Sequence, residues 1–210
     1  VLQRNKLLKE LYLHPDYREV LDVLDMQLVQ YGSALIQRRQ TFAEELGKIV
    51  HRIHSQLSGG QVEMELKYEP NVTVDAFAQM LFSNRERDMR LKTTATGPHR
   101  DDISFVVNGV DIRKFGSQGQ QRTAALSLKL SEIELVKRLI GDTPVLLLDD
   151  VLSELDSGRQ NYLLNSIENI QTLITCTGLD EFVNHRFSIN RIYKVTDGSV
   201  TVENKQEADR

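Results

Sequence analysis

The stretch PVLLLDD at residues 144–150 decides the fold that this 210-residue sequence predicts. A proline opens an unbroken run of four aliphatic residues, which is typical of a central strand buried on both faces of a parallel sheet. Two adjacent carboxylates, Asp149 and Asp150, follow at the C-terminal end of the run, where open α/β sheets gather their ligands. The residues alone leave a second interpretation open, a strand that ends in a solvated acidic turn.

The segments on either side of this strand alternate between helix and strand, as in an α/β protein. A helix is predicted over 120–140, and Gly141 is placed to end it. A second helix near 158–170 and a strand at 171–176 follow the acidic pair. In the first of these helices we expect five apolar side chains to face the core: Ala125, Leu128, Ile133, Val136 and Ile140.

One long amphipathic helix, predicted over 17–57, dominates the first half of the chain, although Gly32 is a place where it could divide. A continuous helix would be on the order of 60 Å long at about 1.5 Å per residue, which indicates an arm or half of a coiled hairpin. A helix pair packed inside a compact domain is the alternative. The face expected to be buried carries Val20, Leu24, Leu28, Tyr31, Leu35, Phe42, Leu46, Ile49, Ile53 and Leu57.

Shorter elements follow the long helix. A strand is predicted at 62–68 and a short helix at 74–82, whereas 85–90 is charged and is predicted to be a solvated face. Two hairpins are predicted from their turns, NG at 108–109 and DG at 197–198, because these dipeptides favour the left-handed backbone of two-residue loops.

Composition excludes several classes of protein. The 26 basic and 30 acidic residues give a formal charge of −4, so the chain is not a polycation that binds nucleic acid through bulk charge. A single cysteine, Cys176, excludes an intramolecular disulfide and a multi-cysteine zinc site. No apolar run approaches the roughly 18 residues that a membrane span needs, and the first residues do not resemble a signal peptide. We therefore expect a cytoplasmic protein without a membrane partner.

A second segment suited to bind an anion lies upstream of the acidic strand. The sequence FGSQGQQR at 115–122 places a hydroxyl and a glycine before a long helix, so that backbone N–H groups and the helix dipole can face a phosphate. An ordinary helix cap at Ser117 is the alternative. A third polar loop, SELD at 153–156, follows the strand. In such a setting Asp149 is suited to hold Mg²⁺ and Asp150 to polarise an attacking water.

Three strings in this order, GPHRDD at 97–102, FGSQGQQR at 115–122 and LDDVLSELD at 148–156, resemble those of ABC-type ATPases of the SMC/Rad50 class. Within that class they are most similar to the RecF family of bacterial DNA replication and repair proteins. The resemblance extends over nearly the whole chain. It implies the C-terminal part of an α/β ABC-type P-loop ATPase head, with a helical arm domain at 1–90 and the head lobe at 91–210.

The resemblance also implies a role for each site residue. In this class two nucleotides lie between the subunits of a head-to-tail dimer, and each contacts the signature loop of the opposite subunit. The implied assignments are Ser117, Gln118, Gly119 and Gln120 for the signature that binds nucleotide in trans, Asp149 for Mg²⁺ directly or through water, Asp150 for catalysis, and Ser153 and Asp156 for the D-loop at the dimer seam.

Two segments have to be separated from these motifs. The sequence LSGGQ at 57–61 spells a transporter signature, yet it follows the long helix and runs into a strand, so it is predicted to be a turn. No G-x-x-x-x-G-K-[ST] loop occurs, since Gly47-Lys48 lies inside the predicted helix and is followed by Ile49. The chain also begins without methionine. We therefore expect part of a longer protein, which binds ATP weakly and hydrolyses little by itself.

For the full-length protein the resemblance implies a slow ATPase that uses ATP and Mg²⁺ and forms an ATP-dependent homodimer. Its implied partners are double-stranded DNA or junctions of single- and double-stranded DNA, together with the mediator protein RecR. The implied setting is DNA recombination, repair, replication-fork recovery and the SOS response, in a bacterial cytoplasm near the nucleoid. Two alternatives remain: an ABC ATPase of another class, SMC/Rad50-like or a transporter subunit, and an interaction module that does not hydrolyse ATP.

Some residues depart from the ABC pattern. The switch histidine of most ABC ATPases is absent from ITCTGL at 174–179, where Thr175 and Thr177 are the candidates to replace it through a hydroxyl. His99 and Arg100 are predicted to belong to a loop that couples the arm to the lobe, because no second histidine or cysteine has metal-ligand spacing. Candidate DNA contacts, named by charge alone and otherwise solvated helix faces, are Arg38, Arg39, Arg85, Arg87 and Arg90.

Overall fold

The computed structural model describes residues 1–11, 14–60, 62–177 and 189–203. The chain divides into two compact units, Val1–Leu139 and Ile140–Arg210. Because the strand Met64–Glu69 pairs with the strand Asp102–Val107, residues on both sides of position 90 lie in the first unit, and the division into an arm domain at 1–90 and a head lobe at 91–210 stays a prediction. In chain order the elements are α1 (Leu2–Glu10), α2 (Arg18–Leu57), β1 (Met64–Glu69), α3 (Val74–Ser83), α4 (Arg85–Leu91), β2 (Asp102–Val107), β3 (Val110–Asp111), α5 (Ile112–Phe115), α6 (Gln118–Ile140), β4 (Leu146–Asp149), α7 (Ser157–Ser166), β5 (Thr172–Thr175), β6 (Ile192–Thr196) and β7 (Ser199–Glu203).

Helix α2 is continuous over 40 residues, as the apolar spacing predicts. Gly32 does not divide it. A Cβ at this position would come within 2.5 Å of the Phe77 ring, so the glycine allows α3 to approach α2 closely. None of the helices in the described ranges has both the length and the apolar character needed to cross a membrane.

The buried face of α2 differs from the predicted one in the first two-thirds of the helix. Four residues expected to be inward, Val20, Tyr31, Leu35 and Phe42, are exposed. The buried positions there are Leu21, Asp25, Gly32, Ile36 and Ala43, whereas Leu46, Ile49, Ile53 and Leu57 are buried as predicted. Packing partners decide the difference, because α1 and α3 cover the neighbouring row of side chains.

A three-stranded antiparallel sheet in the order β1-β2-β3 packs against α2. The register pairs Met64 with Val107 at one end and Glu69 with Asp102 at the other. The turn between β2 and β3 has positive φ at both Asn108 (49°) and Gly109 (81°), which is the geometry that the sequence predicts.

Helix α6 is confirmed, but its inward face agrees with the sequence interpretation only in part, since Leu128, Ile133 and Val136 are half-buried. Ala125 and Ile140 are exposed, whereas Thr123, Ser127 and Ser131 are buried. Each of these three hydroxyls donates to the carbonyl four residues earlier, at 2.6–2.7 Å, so it can be buried without losing its hydrogen bond. Gly141 follows the helix with φ of 74°, as predicted.

In the second unit β4 and β5 form a parallel pair that is joined through α7. Leu146 and Leu148 are buried, but Leu147 is 72% exposed and lies beside Leu173, which is 55% exposed. The expectation that β4 is buried on both faces is therefore wrong for the described residues, since full burial needs a covering layer on each side of a sheet.

The final hairpin agrees with its turn signal. Strands β6 and β7 pair antiparallel, and the turn has positive φ at Asp197 (48°) and Gly198 (76°). A two-residue loop of this kind matches the twist of the two strands that it joins.

The charged segment at 85–90 is not a solvated face throughout. It forms most of α4, and Asp88 is fully buried against Arg4, with 2.6 Å between Oδ2 and Nη1. Arg4 also contacts Asp25 at 2.5 Å, and Arg85 pairs with Asp25 at 2.7 Å. Arg85 therefore holds α4 against α2, which removes it as a free phosphate-binding cation.

Candidate functional site

The end of β4 places Asp149 beside a hydroxyl of the neighbouring strand. Asp149 is the register partner of Thr175 on β5. The Thr175 hydroxyl donates to Oδ1 of Asp149 at 2.5 Å, and the carboxylate is otherwise exposed. The parallel pairing thus orients Oδ1 of Asp149 through a hydrogen bond and leaves Oδ2 available to a ligand.

Asp150 has an unusual backbone conformation. Its φ is 49°, in the left-handed region that few residues other than glycine adopt. The Asp150 N–H donates to the Thr175 hydroxyl at 3.0 Å and to the Thr175 carbonyl at 3.2 Å, and the Asp150 carbonyl accepts from the Ser153 hydroxyl at 2.9 Å. Backbone strain that is held by its surroundings is common at functional sites.

The pair formed by Asp149 and Asp150 lacks a compensating cation in the part of the chain that the structure describes. Both residues are exposed, and no ion pair of the described residues includes either carboxylate. Two negative charges one residue apart, each with free oxygen atoms, form an arrangement that suits hard cations and water.

The loop that follows connects this strand end to α7. Ser153 lies in the short 3₁₀ turn Leu152–Glu154, and Asp156 caps α7 by accepting the Arg159 N–H at 3.0 Å. That backbone hydrogen bond is the main reason why the pKa of Asp156 is lowered, and the Arg159 guanidinium, 2.6 Å from Oδ2, acts in the same direction. Asp156 therefore stays ionised as a helix cap.

The predicted signature loop is a capping box at the start of α6. The Gln120 N–H donates to the Ser117 hydroxyl at 3.3 Å, and the Ser117 N–H donates to Oε1 of Gln120 at 2.9 Å. Residues Ser117, Gln118, Gly119 and Gln120 are all exposed. The cap that the sequence left as an alternative is present, and it orients the same helix N-terminus that would face a phosphate.

Glycines and a glutamine shape this helix start. A Cβ at Gly116 would lie 2.5 Å from the Ile112 carbonyl oxygen, so only glycine fits there. The Gln121 side chain donates to the same carbonyl at 3.0 Å and ties α6 to α5. At Gly119 a Cβ would meet nothing within 4 Å, which leaves open space beside the first turn.

The structure thus groups the predicted site residues in two sets. Ser117–Gln120 lie together in the first unit, and Asp149, Asp150 and the D-loop lie together in the second. Their roles in nucleotide binding stay predictions.

The string GPHRDD is organised around Asp101 rather than around its histidine. Asp101 accepts from Arg39 at 2.9 Å, from the Asn71 N–H at 2.9 Å and from the Tyr68 hydroxyl. Burial, and after it the hydrogen bond to Asp101, raises the pKa of Tyr68 to about 12. Arg39 is thereby engaged within the fold through one of its nitrogens, and its role in DNA contact stays a prediction.

His99 and Arg100 lie on the 3₁₀ turn Pro98–Arg100, next to this carboxylate. His99 Nε2 lies 2.9 Å from the Thr94 carbonyl oxygen, and Arg100 is exposed. A role in coupling arm and lobe stays a prediction. Sequence reasoning missed Asp101, although the residue stands inside the quoted motif, because nothing local indicates that its partners come from α2 and β1.

The segment that spells a transporter signature is a turn, as predicted, over its described residues. Helix α2 ends at Leu57, and Gly59 and Gly60 follow with φ of 73° and 80°. Gln61, and Gly178 and Leu179 of the switch segment, lie outside the described residues.

Comparison with curated proteins places the chain in a family. No protein-family model matches it. A DNA replication and repair protein RecF from Lachnospira eligens is 57% identical over 204 residues, which are 96% of this chain and 56% of that protein. One from Clostridium perfringens is 40% identical and is matched over 94% of this chain and 55% of its own length. The chain belongs to the RecF family. It spans a little over half the length of these RecF relatives, and a transporter subunit is excluded.

Solved RecF structures confirm the fold class. A structure described as the recombination mediator protein RecF with ATP in the RecFOR pathway superposes with a TM-score of 0.84 at 33% identity, over 97% of this chain and 56% of that one. A second RecF structure of the same pathway gives 0.83. The predicted α/β architecture of an ABC-type ATPase part is therefore correct.

The donor set at the end of β4 fits Mg²⁺ in composition. Asp149 and Asp150 supply carboxylate oxygens, which are the hard ligands that Mg²⁺ prefers. The described residues contain no group of three or more histidine, cysteine, aspartate or glutamate side chains placed to hold a metal by themselves.

Proposed function

We propose that this chain is the C-terminal part of a RecF-family ATPase, in which Asp149 and Asp150 serve the nucleotide of their own subunit and Ser117–Gln120 contact the nucleotide of a second subunit. The observation that carries the proposal is the parallel β4–β5 pair. It presents two exposed carboxylates at its C-terminal end, which no ion pair of the described residues includes, in a chain that is 57% identical to a RecF protein.

Each residue has a chemical task that its geometry supports. Asp149 offers the oxygen that Thr175 does not use, which would hold Mg²⁺ directly or through water. Bound Mg²⁺ would neutralise charge on the phosphates. Asp150 is placed to orient a water and accept its proton. Because aspartate is shorter than the glutamate that many ABC ATPases have as general base, we expect slow turnover.

The signature residues have donors to offer. In the first turn of α6 the N–H groups of Gln118 and Gly119 have no acceptor within the helix. The capping box keeps Ser117 and Gln120 in place while the positive end of the helix dipole faces outward. Such a helix start attracts phosphate, so ATP held between two subunits would stabilise a dimer that its hydrolysis releases.

The biological role follows from the family. We infer an ATP-switched protein that acts on double-stranded DNA, or on its junction with single-stranded DNA, together with RecR in recombination, repair, replication-fork recovery and the SOS response. Because its DNA substrate would be chromosomal, we expect the protein in the bacterial cytoplasm, near the nucleoid. In this proposal residues 1–90 form an arm domain, residues 91–210 form the lobe, and His99 and Arg100 belong to a loop of the lobe that couples it to the arm.

The proposal is tested by the oligomeric state of the full-length protein, measured by light scattering with and without ATP and Mg²⁺. Ser117→Arg places a cationic side chain at the proposed trans contact, whereas Ser83→Arg adds the same charge at an exposed position at the end of α3. We expect ATP to dimerise the wild type and Ser83→Arg but not Ser117→Arg. Equal dimerisation of all three, or of none, would overturn the trans assignment.

A further inference from the structure

The hydroxyl of Thr175 bridges the two carboxylate residues at the end of β4. A threonine hydroxyl has one proton to donate and two lone pairs to accept with. The proton is directed to Oδ1 of Asp149 at 2.5 Å, and the oxygen accepts the Asp150 N–H at 3.0 Å. One atom of β5 therefore contacts both residues that the proposed function uses.

Two consequences follow for the carboxylates. The hydrogen bond to Oδ1 restricts rotation of the Asp149 side chain, so that Oδ2 is the oxygen left for a ligand. The same hydroxyl, together with the Thr175 carbonyl, accepts the Asp150 N–H and so restrains Asp150 in a left-handed backbone conformation, which sets the direction of its side chain. A residue that lacks the hydroxyl would leave both restraints weaker.

We propose that Thr175 is a positioning residue for ATP hydrolysis, which acts through Asp149 and Asp150 rather than on the nucleotide. This inference rests on the proposed function. It differs from the expectation that a threonine here senses the γ-phosphate, because the single hydroxyl proton is already donated to Asp149 and cannot be donated to a phosphate at the same time.

A second threonine of β5 provides a matched control. The Thr172 hydroxyl donates to the Ile170 carbonyl at 3.0 Å, at the opposite end of the strand. Valine keeps the β-branched shape that both positions use in the strand. Thr175→Val and Thr172→Val therefore remove one hydroxyl each from the same strand, and only the first contacts the carboxylates.

The first measurement is steady-state ATP hydrolysis by the full-length protein. We expect Thr175→Val to lower kcat by about tenfold or more with KM for ATP within about twofold, because misplacement of catalytic groups affects the chemical step more than ground-state binding. Thr175→Ser, which restores the hydroxyl, should recover most of kcat, and Thr172→Val should equal the wild type. Unchanged kcat in Thr175→Val, or a raised KM at constant kcat, would overturn the inference.

The second measurement needs neither nucleotide nor turnover. Hydrogen exchange of the Asp150 amide, followed in the nucleotide-free full-length protein, should be about tenfold faster in Thr175→Val and unchanged in Thr175→Ser and Thr172→Val. The Thr175 carbonyl, which also accepts the Asp150 N–H at 3.2 Å, is present in every variant, so equal exchange would show that the Thr175 hydroxyl does not hold this backbone. If the wild type hydrolyses no ATP, the proposed function fails, whereas turnover that is insensitive to Thr175→Val removes the role of Thr175 alone.

Discussion

Two groups of aspartates in this chain have opposite surroundings. In the buried ion cluster, formed by Arg4, Asp25 and Asp88, the guanidinium is 1% exposed and Asp88 is 0% exposed. At the acidic strand end, formed by Asp149 and Asp150, both carboxylates are exposed and no cation pairs with them within the described ranges. The comparison shows that the sequence alone does not distinguish the two kinds of aspartate. An aspartate paired with a buried cation stabilises the fold, whereas an exposed aspartate keeps its carboxylate oxygens available to a ligand.

The physical reason is the cost of removing a charge from water. A buried ion needs a partner and further hydrogen bonds, and Asp88 has both, since it also accepts the Ala95 N–H at 3.0 Å. Exposed carboxylates keep their hydration, so two of them can stand side by side at little cost to the fold. Only the second arrangement leaves oxygen atoms for a ligand.

The largest effect is expected from breaking the buried ion cluster. Arg4→Met keeps an unbranched chain but leaves Asp88 buried without its cation, which should lower the free energy of unfolding by about 3–5 kcal/mol. Urea denaturation followed by circular dichroism measures this loss. Lys9→Met, at an exposed position of the same helix, is the control and should change stability by less than about 0.5 kcal/mol. A loss below about 1 kcal/mol for Arg4→Met would mean that the cluster is dispensable.

The acidic strand end should show the reverse behaviour. Asparagine tolerates the left-handed backbone of residue 150, so Asp150→Asn should alter the free energy of unfolding by less than about 0.5 kcal/mol. In the full-length protein the same change should lower ATP turnover by about 100-fold, because a positioned base is lost. Urea denaturation and a phosphate-release assay measure the two effects. Retained turnover would favour an interaction module that does not hydrolyse ATP.

The smallest effect on stability at neutral pH is expected from the contact between Tyr68 and Asp101, a third carboxylate that is held by the fold. Its neighbour Tyr68 has a pKa raised to about 12, first by burial and then by Asp101. A raised pKa means that the folded state keeps the proton longer, so this contribution to stability is complete below about pH 10 and is lost as the pH rises towards 12. Absorbance at alkaline pH should show a late-titrating tyrosine signal that disappears in Tyr68→Phe. Titration of every tyrosine near pH 10 would contradict the contact.

Local patterns predicted the elements well. Dipeptides that adopt left-handed backbone predicted both hairpin turns, and the apolar spacing predicted α2 as one helix. These signals succeed because a turn or a helix is decided by residues that are close in sequence. The acidic pair after an aliphatic run predicted where β4 ends for the same reason.

Faces and partners were harder to predict. On α2 the buried row at Leu21 and Ile36 lies beside the row that the periodicity favoured, and on α6 the buried row carries the hydroxyls of Thr123 and Ser127. The apolar spacing of an amphipathic helix is compatible with more than one buried row of side chains. The elements that pack against the helix determine which row is buried. A serine or threonine that bonds its own helix can be buried as readily as an apolar side chain.

The sequence by itself determined the family, the order of helices and strands, and which residues stand at the strand end and at the start of α6, because these depend on neighbours along the chain. Only the tertiary structure decided that Asp88 and Asp101 are held by distant cations, whereas no cation of the described residues pairs with Asp149. It also decided that Thr175 bridges Asp149 and Asp150, since strand register brings residues 25 and 26 positions apart into contact. The type of a residue determines its charge and its hydrogen-bonding capacity. Which partners compensate that charge and complete those hydrogen bonds depends on the segments that the fold brings together.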